Sequence, residues 1–136
     1  ICKDVPEDRV DDVIFGYTCG NDLTARDVQK TDLQWARAKG FDTSAPLGPW
    51  IETELDTEDL QIQGRLNGEL RQDGSTNQMI RGVRELVSIV SQAFTLLPGD
   101  VIMTGTPAGV GAVQAGDRYE VEIEGIGRLS NPVVRR

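Results

Sequence analysis

The clearest pattern along the chain is the alternation of apolar and polar residues over positions 60–66, LQIQGRL. A period of two is typical of a β-strand that buries one face. The next two residues, Asn67 and Gly68, readily adopt the left-handed backbone that a two-residue type I′ turn requires. We therefore predict a β-hairpin whose second strand occupies residues 69–72.

Further strands are predicted towards both ends of the chain. Residues 118–124, RYEVEIE, alternate again, and a turn at 125–127 leads into a returning strand at 128–133. Apolar segments at 13–19 and 50–54 predict two more strands, and 101–103 predicts a short buried one. Because glycine and proline residues separate these short segments, we predict a mainly β (α+β) fold with a few short helices.

Two segments are predicted to be helical. In residues 82–97 the apolar positions recur every three to four residues, which predicts an amphipathic helix packed against a sheet. A second helix is predicted to start at Thr24, as N-cap with Asp27 completing a capping box, and to run towards Ala38. Gly40 follows it and opens an ordered loop, GFDTSAPLGP.

Composition narrows the possible chemistry. The 136 residues include no histidine, which excludes a Ser-His-Asp triad, a Cys-His pair and a His-ligated zinc site within this sequence. A net charge of −8 without a run of lysine or arginine argues against nucleic acid or an anionic membrane as partner. No apolar run approaches the roughly 18 residues of a membrane span. Two isolated cysteines, Cys2 and Cys19, favour a reducing cytoplasm.

Acid–base chemistry must then depend on carboxylates, lysine, tyrosine or a metal-bound water. Asp22 follows a predicted strand, where a carboxylate is well placed for a hard cation such as Mg²⁺, and Arg26 and Gln29 follow at helical spacing. Spacing alone favours a simpler interpretation, in which Asp22 caps the helix and pairs with Arg26. Lys39 could stabilise an enolate beside a metal, although a lysine at a helix end more often answers the helix dipole.

Two other segments have a weaker chemical signal. The segment TGTPAGVG, 104–111, is rich in glycine but lacks the spacing and the lysine of a nucleotide-binding loop. Its Thr104 or Thr106 hydroxyl could hold a carboxylate, or the segment could be a plain turn. Glu120, Glu122 and Glu124 share one strand face, which we interpret as solvated surface rather than a cation site.

Together, several segments closely resemble the fumarylacetoacetate hydrolase family. They are YTCGNDLTARDVQ (17–29), AKGFDTSAPLGPW (38–50), LNGELRQ (66–72), LLPGDVIMTGTPAGVG (96–111) and EIEGIGRLSNPV (122–133). The resemblance covers nearly the whole chain and is greatest to short bacterial members that act on acylpyruvates or oxaloacetate. It implies a mixed β-sandwich roll, an active site that uses Mg²⁺ or Mn²⁺, a small oxo-acid substrate and a homodimer.

The resemblance also implies roles for individual residues. The metal-binding aspartate of the family motif falls on Asp22, and the substrate-binding arginine and glutamine fall on Arg26 and Gln29. The catalytic lysine falls on Lys39, and the substrate-binding threonine of Gly-Thr-Pro falls on Thr106. Thr43 would support the metal shell.

The family also carries a Glu-x-Glu metal-binding pair and a lid with a His-Glu dyad, and neither is present before Asp22. We therefore expect residues 1–136 to be the C-terminal portion of a catalytic domain, with weak metal binding and little activity alone. The implied reaction is metal-dependent cleavage of a C–C bond in a 2-oxo acid, such as acylpyruvate hydrolysis or oxaloacetate decarboxylation. The alternatives are an isomerase or decarboxylase of hydroxy-dienoic diacids, or a non-catalytic metabolite-binding or dimerisation module.

Overall fold

The computed structural model describes residues 1–135. Its strands are β1 (Tyr17–Gly20), β2 (Leu47–Glu52), β3 (Gln61–Leu66), β4 (Glu69–Ser75), β5 (Arg118–Ile123) and β6 (Gly127–Pro132). Its helices are α1 (Arg26–Gln29), α2 (Ala36–Lys39), α3 (Val83–Ala93) and two 3₁₀ helices, Glu7–Asp12 and Thr76–Gln78. The predicted mainly β class with a few short helices is confirmed. Over this range no helix is long and apolar enough to span a membrane.

The larger sheet has four antiparallel strands in the order β4-β3-β5-β6. β3 and β4 form the predicted hairpin, with φ of 52° at Asn67 and 84° at Gly68. Asn67 also donates a side-chain hydrogen bond of 2.8 Å to Asp117, which ties this turn to the start of β5. β5 and β6 form the second predicted hairpin. Both hairpins follow from local turn chemistry and alternation, which fix the register of each pair.

β1 and β2 form a separate antiparallel pair that packs against the larger sheet. The core between the two layers contains Cys19, Val121, Ile126 and Leu129, all less than 9% exposed. The Cys19 thiol donates a hydrogen bond of 3.4 Å to the Gly127 carbonyl, and burial raises its pKa. The arrangement is a two-layer β-sandwich, in which each sheet buries one face against the other.

A second apolar cluster joins α3 to the N-terminal segment. Val10 is fully buried and Val87 of α3 is 7% exposed. The backbone of Val5 is held by α3 through two buried serines: its amide donates to Ser91 Oγ at 2.9 Å, and its carbonyl accepts from Ser88 Oγ at 2.8 Å. The predicted helix is therefore present, over a shorter range, but it packs against the first 3₁₀ helix and not against a sheet.

Three predicted strands differ from the structure. The strand predicted at 13–19 is reduced to Tyr17–Gly20, because the preceding 3₁₀ helix ends at Asp12 with Val13 as its C-cap, and Phe15 is 76% exposed. The strand predicted at 101–103 is absent, and Val101 and Met103 are 56% and 43% exposed. In the third, β2 begins three residues before the predicted start at residue 50.

The helix predicted from Thr24 to Ala38 is wrong as one element. Trp35 has φ of 55°, a left-handed conformation that cannot continue a helix, so α1 and α2 are separate four-residue turns. Thr24 is not the N-cap, because its hydroxyl donates to the Asp22 carbonyl at 3.3 Å and helix α1 starts after Ala25 without a side-chain cap. The predicted capping box with Asp27 is therefore absent. The helical segment does end at Gly40, as expected.

Candidate active site

A cleft of about 870 Å³ opens between three parts of the fold. One wall is residues 20–27 with Lys39, which lie around the junction of β1 and α1. The floor is the inner face of the larger sheet, from β3, β4 and β5, and the opposite wall belongs to the segment 103–113. Four of the polar residues singled out in the sequence lie on these walls, although they come from separate segments of the chain: Asp22, Arg26, Lys39 and Thr106.

The first wall is built by backbone hydrogen bonds between two segments. The amides of Asn21, Leu23 and Ala25 donate to carbonyls of Pro46, Ser44 and Ala38, respectively, at 3.2, 2.9 and 3.0 Å. These bonds hold residues 21–25 beside the chain that runs from α2 to β2. This pairing brings Asp22 close to Lys39, which lies 17 positions later in the chain.

Asp22 and Lys39 form an ion pair in the cleft wall. Their side chains are 46% and 34% exposed, so the pair faces the solvent-filled cleft. Ser44, which is 5% exposed, donates from its hydroxyl to the Lys39 carbonyl at 2.6 Å and so fixes the end of α2. Lys39 does sit at a helix end, but its ammonium contacts a carboxylate across the loop. The structure thus brings together the two residues to which the family resemblance assigns metal binding and catalysis.

Asp22 does not have the simpler role that spacing alone favoured. It does not cap α1, and Arg26 hydrogen-bonds through Nη1 to Gln29 Oε1 at 2.8 Å instead. Arg26 lines the cleft, whereas Gln29 is not among the lining residues and is linked to the cleft by its hydrogen bond with Arg26. This contact fixes one edge of the guanidinium and leaves its other donors available, since a guanidinium has five N–H groups in a planar fork.

Thr106 lies in the opposite wall, and Thr104 does not line the cleft. Thr106 Oγ1 is 2.7 Å from Nε2 of Gln72, a buried residue of β4. The phenol of Tyr119, on β5, donates to Gln72 Oε1 at 2.6 Å. Burial raises the pKa of Tyr119, in the direction that favours the protonated hydroxyl.

Gln72 and Tyr119 were not among the sequence-predicted site residues. Gln72 is part of the LNGELRQ segment, but its place in the cleft depends on strand register, which brings Gly64 opposite both Gln72 and Val121. The signal that the sequence did offer was a polar residue, Gln72, at a strand position that faces inward. Thr43, in contrast, is exposed and does not line the cleft, and it has φ of 67°.

The carboxylates of the cleft are those of Asp22 and Asp27. Carboxylate oxygens suit Mg²⁺ and Mn²⁺, so the type of donor fits a hard divalent cation. Residues 1–135 contain no group of three or more acidic, cysteine or histidine side chains that could complete a site. On the outer sheet face Glu122 pairs with Arg128 at 2.7 Å, and Glu124 accepts from the Gln61 amide at 3.1 Å.

Comparison with known proteins identifies the family. Residues 1–134 match the family model described as fumarylacetoacetate (FAA) hydrolase C-terminal. The chain belongs to the fumarylacetoacetate hydrolase family. It spans about half to three fifths of the length of the curated relatives it matches.

Three relatives illustrate the range of activities recorded for this family. Oxaloacetate tautomerase YisK of Bacillus subtilis is 43% identical over 90% of this chain and 44% of its own length. The crystal structure of 5-carboxymethyl-2-hydroxymuconate delta-isomerase from Mycobacterium smegmatis has a TM-score of 0.97 at 52% identity, over 99% of this chain and 54% of that one. Fumarylpyruvate hydrolase from Pseudomonas aeruginosa, in complex with Mn²⁺ and pyruvate, has a TM-score of 0.92 at 38% identity, over 99% and 60%.

Proposed function

We propose that this protein is a divalent-metal-dependent enzyme that stabilises the enolate of a 2-oxo acid and thereby cleaves a C–C bond, as in acylpyruvate hydrolysis or oxaloacetate decarboxylation. The observation that carries this proposal is the Asp22–Lys39 pair in the wall of the cleft, with Arg26 on the same wall and Thr106 opposite. A carboxylate for a cation, two positive side chains and a hydroxyl are the groups that an anionic oxo acid requires.

We propose Asp22 as the one metal ligand that residues 1–135 supply, and Mg²⁺ or Mn²⁺ as the metal. When bound, the metal supplies Lewis-acid polarisation of the oxo acid. The crystallised fumarylpyruvate hydrolase, which holds Mn²⁺ and pyruvate, supports this class of cofactor and ligand. No group of three or more such ligands is present within residues 1–135, so Asp22 is proposed as one ligand of a set that these residues do not complete.

Each polar side chain then has a distinct task. The Lys39 ammonium supplies positive charge where the enolate oxygen develops, and its contact with Asp22 keeps it directed into the site. Arg26 binds a substrate carboxylate through its free N–H edge, with Gln29 holding the guanidinium plane. Thr106 contacts a further substrate oxygen. Together these groups hold the oxo acid in the geometry that favours enolate formation.

A second candidate reaction is keto–enol tautomerisation or isomerisation of an oxo diacid. The observation in its favour is that relatives of 43% and 52% identity are named as a tautomerase and an isomerase. The enolate is common to these reactions and to C–C cleavage, so the same Lys39 charge serves all of them. Hydrolysis additionally needs a base for water, and this sequence has no histidine to provide one.

We also propose a homodimer located in the cytoplasm. Large apolar side chains remain exposed in the single chain, including Phe15, Leu33 and Ile80 at 76%, 95% and 101%. Exposed apolar side chains mark a protein interface where they form one contiguous patch. Cys2 and Cys19 are both free thiols, as expected of a reducing compartment.

The deciding experiment is a turnover assay of the full-length protein on oxaloacetate and acetylpyruvate, after EDTA treatment and after addition of Mg²⁺ or Mn²⁺. Pyruvate formation reports cleavage, and decay of the enol absorbance without pyruvate reports tautomerisation. We expect metal-dependent turnover of at least one substrate. Metal-bound protein that turns over neither compound would contradict the proposal and favour a non-catalytic metabolite-binding module.

A further inference from the structure

The amide of Gln72 lies at the centre of a hydrogen-bond network in the floor of the cleft. Its Nε2 is 2.7 Å from Thr106 Oγ1 and 2.7 Å from the Pro107 carbonyl oxygen. Its Oε1 is 2.6 Å from the Tyr119 hydroxyl. Gln72 is only 8% exposed, so its polar atoms depend on these partners and not on bulk water.

The partners fix which way each hydrogen points. A backbone carbonyl can only accept, so the nitrogen of the amide, and not its oxygen, must face Pro107. The two Nε2 hydrogens are then donated to Pro107 and to Thr106, while Tyr119 donates to Oε1. Thr106 Oγ1 is therefore an acceptor from Gln72, and its own hydrogen remains for another partner. Within residues 1–135 the structure shows no acceptor for that hydrogen.

The fold leaves room for this network at one position of the neighbouring strand. A Cβ atom on Gly64 of β3 would lie 2.4 Å from the Tyr119 hydroxyl and 2.9 Å from Gln72 Oε1. Both distances are shorter than real Cβ contacts allow. The absence of a side chain at Gly64 is thus what lets the phenol reach the amide.

We propose that Gln72 is a positioning residue which, held by Tyr119 and Pro107, fixes the Thr106 hydroxyl as a hydrogen-bond donor into the cleft. This end of the cleft therefore offers a donated hydrogen to an acceptor oxygen, from a carboxylate or a carbonyl. The inference rests on the proposed function only in taking the cleft as the oxo-acid site. It adds to that function which partner donates the hydrogen in one contact, the contact between Thr106 and the ligand.

The test measures binding of oxalate in the presence of Mn²⁺ by calorimetry, using the full-length protein. Thr106→Val removes the donor and should weaken oxalate binding about tenfold, the value of one hydrogen bond to an anion. Gln72→Met, nearly equal in volume, should weaken it by about three- to tenfold because the hydroxyl is no longer oriented. The double variant should bind like Thr106→Val alone, since Gln72 acts only through that hydroxyl. Thr106→Ser should restore binding to within about threefold of wild type.

Gln61→Met is the matched control, because Gln61 is an exposed glutamine of the same sheet outside the cleft, and it should bind as wild type does. If Gln72→Met fails to fold, Tyr119→Phe removes the donor that holds the amide and should show the same coupling to Thr106→Val. Multiplicative losses in the double variant, or no oxalate binding by wild type, would overturn the inference. Oxaloacetate turnover is measured separately. If oxalate binding shows the expected coupling of Gln72 to Thr106 but the protein does not turn over oxaloacetate, the proposed function is contradicted and the assignment of Thr106 as a donor is supported.

Discussion

Replacing Gly64 by alanine should disturb the floor of the cleft without changing the backbone. The added Cβ would lie 2.4 Å from the Tyr119 hydroxyl, so the phenol must retreat by about 1 Å to reach ordinary contact. Tyr119 packs against the core between the two sheets, which limits that movement. A retreat of this size breaks the 2.6 Å bond to Gln72 and leaves a buried amide oxygen without its donor.

Overpacking costs about 1–3 kcal/mol and a lost buried hydrogen bond about 1 kcal/mol, so Gly64→Ala should destabilise the protein by about 2–4 kcal/mol. Urea unfolding followed by circular dichroism measures this as a lower midpoint at unchanged slope. Gly111→Ala is the matched control, because a Cβ at Gly111 meets no atom within 4 Å and φ there is not positive. We expect less than about 0.5 kcal/mol for the control. Equal midpoints for the two variants would refute the steric reasoning.

Three further predictions concern the site and the N-terminal cluster. Ser44→Ala removes the 2.6 Å hydrogen bond to the Lys39 carbonyl, so kcat should fall about threefold to thirtyfold. The far-UV circular dichroism should stay that of wild type, and an unchanged kcat would contradict the role of Ser44 in placing Lys39. Arg84 lies 2.8 Å from Asp11 and lowers the pKa of that carboxyl in the folded state. The ion pair therefore stabilises the fold fully above the unfolded pKa of about 4, and this stabilisation is lost as the pH falls through the lower folded pKa. Urea midpoints of Arg84→Gln should therefore lie below wild type at pH 6 and converge in acid, and parallel curves would contradict this. EDTA should abolish turnover, and Mg²⁺ or Mn²⁺ should restore it; turnover that persists after chelation refutes the metal assignment.

The sequence predicted the hairpins because their signals are local. Alternation fixes which face is buried, and Asn67-Gly68 specifies the turn without help from the rest of the chain. The helix predicted from 24 to 38 was wrong because one left-handed residue, Trp35, divides it. Start and stop signals at the two ends of a segment do not report a backbone reversal between them. Apolar residues such as Phe15 and Val101 resembled strand residues although they are exposed here.

The candidate site was predicted through family resemblance and not through spacing. Spacing alone favoured capping by Asp22, whereas the structure pairs Asp22 with Lys39 because backbone bonds hold residues 21–25 beside the loop after α2. Gln72 and Tyr119 were missed because their meeting depends on the pairing of three strands. A contact of that kind between residues 47 positions apart has no local signature in the sequence.

The central claim is that Lys39 supplies the charge for enolate formation, and turnover of oxaloacetate by Lys39→Met in the full-length protein tests it most directly. Lys30→Met is the matched control, since Lys30 is exposed beyond the end of α1 and does not line the cleft. The account predicts a loss in kcat of about 100-fold or more for Lys39→Met, with an unchanged urea midpoint, and near wild-type kcat for Lys30→Met. Near-normal kcat in a folded, metal-loaded Lys39→Met variant would contradict it.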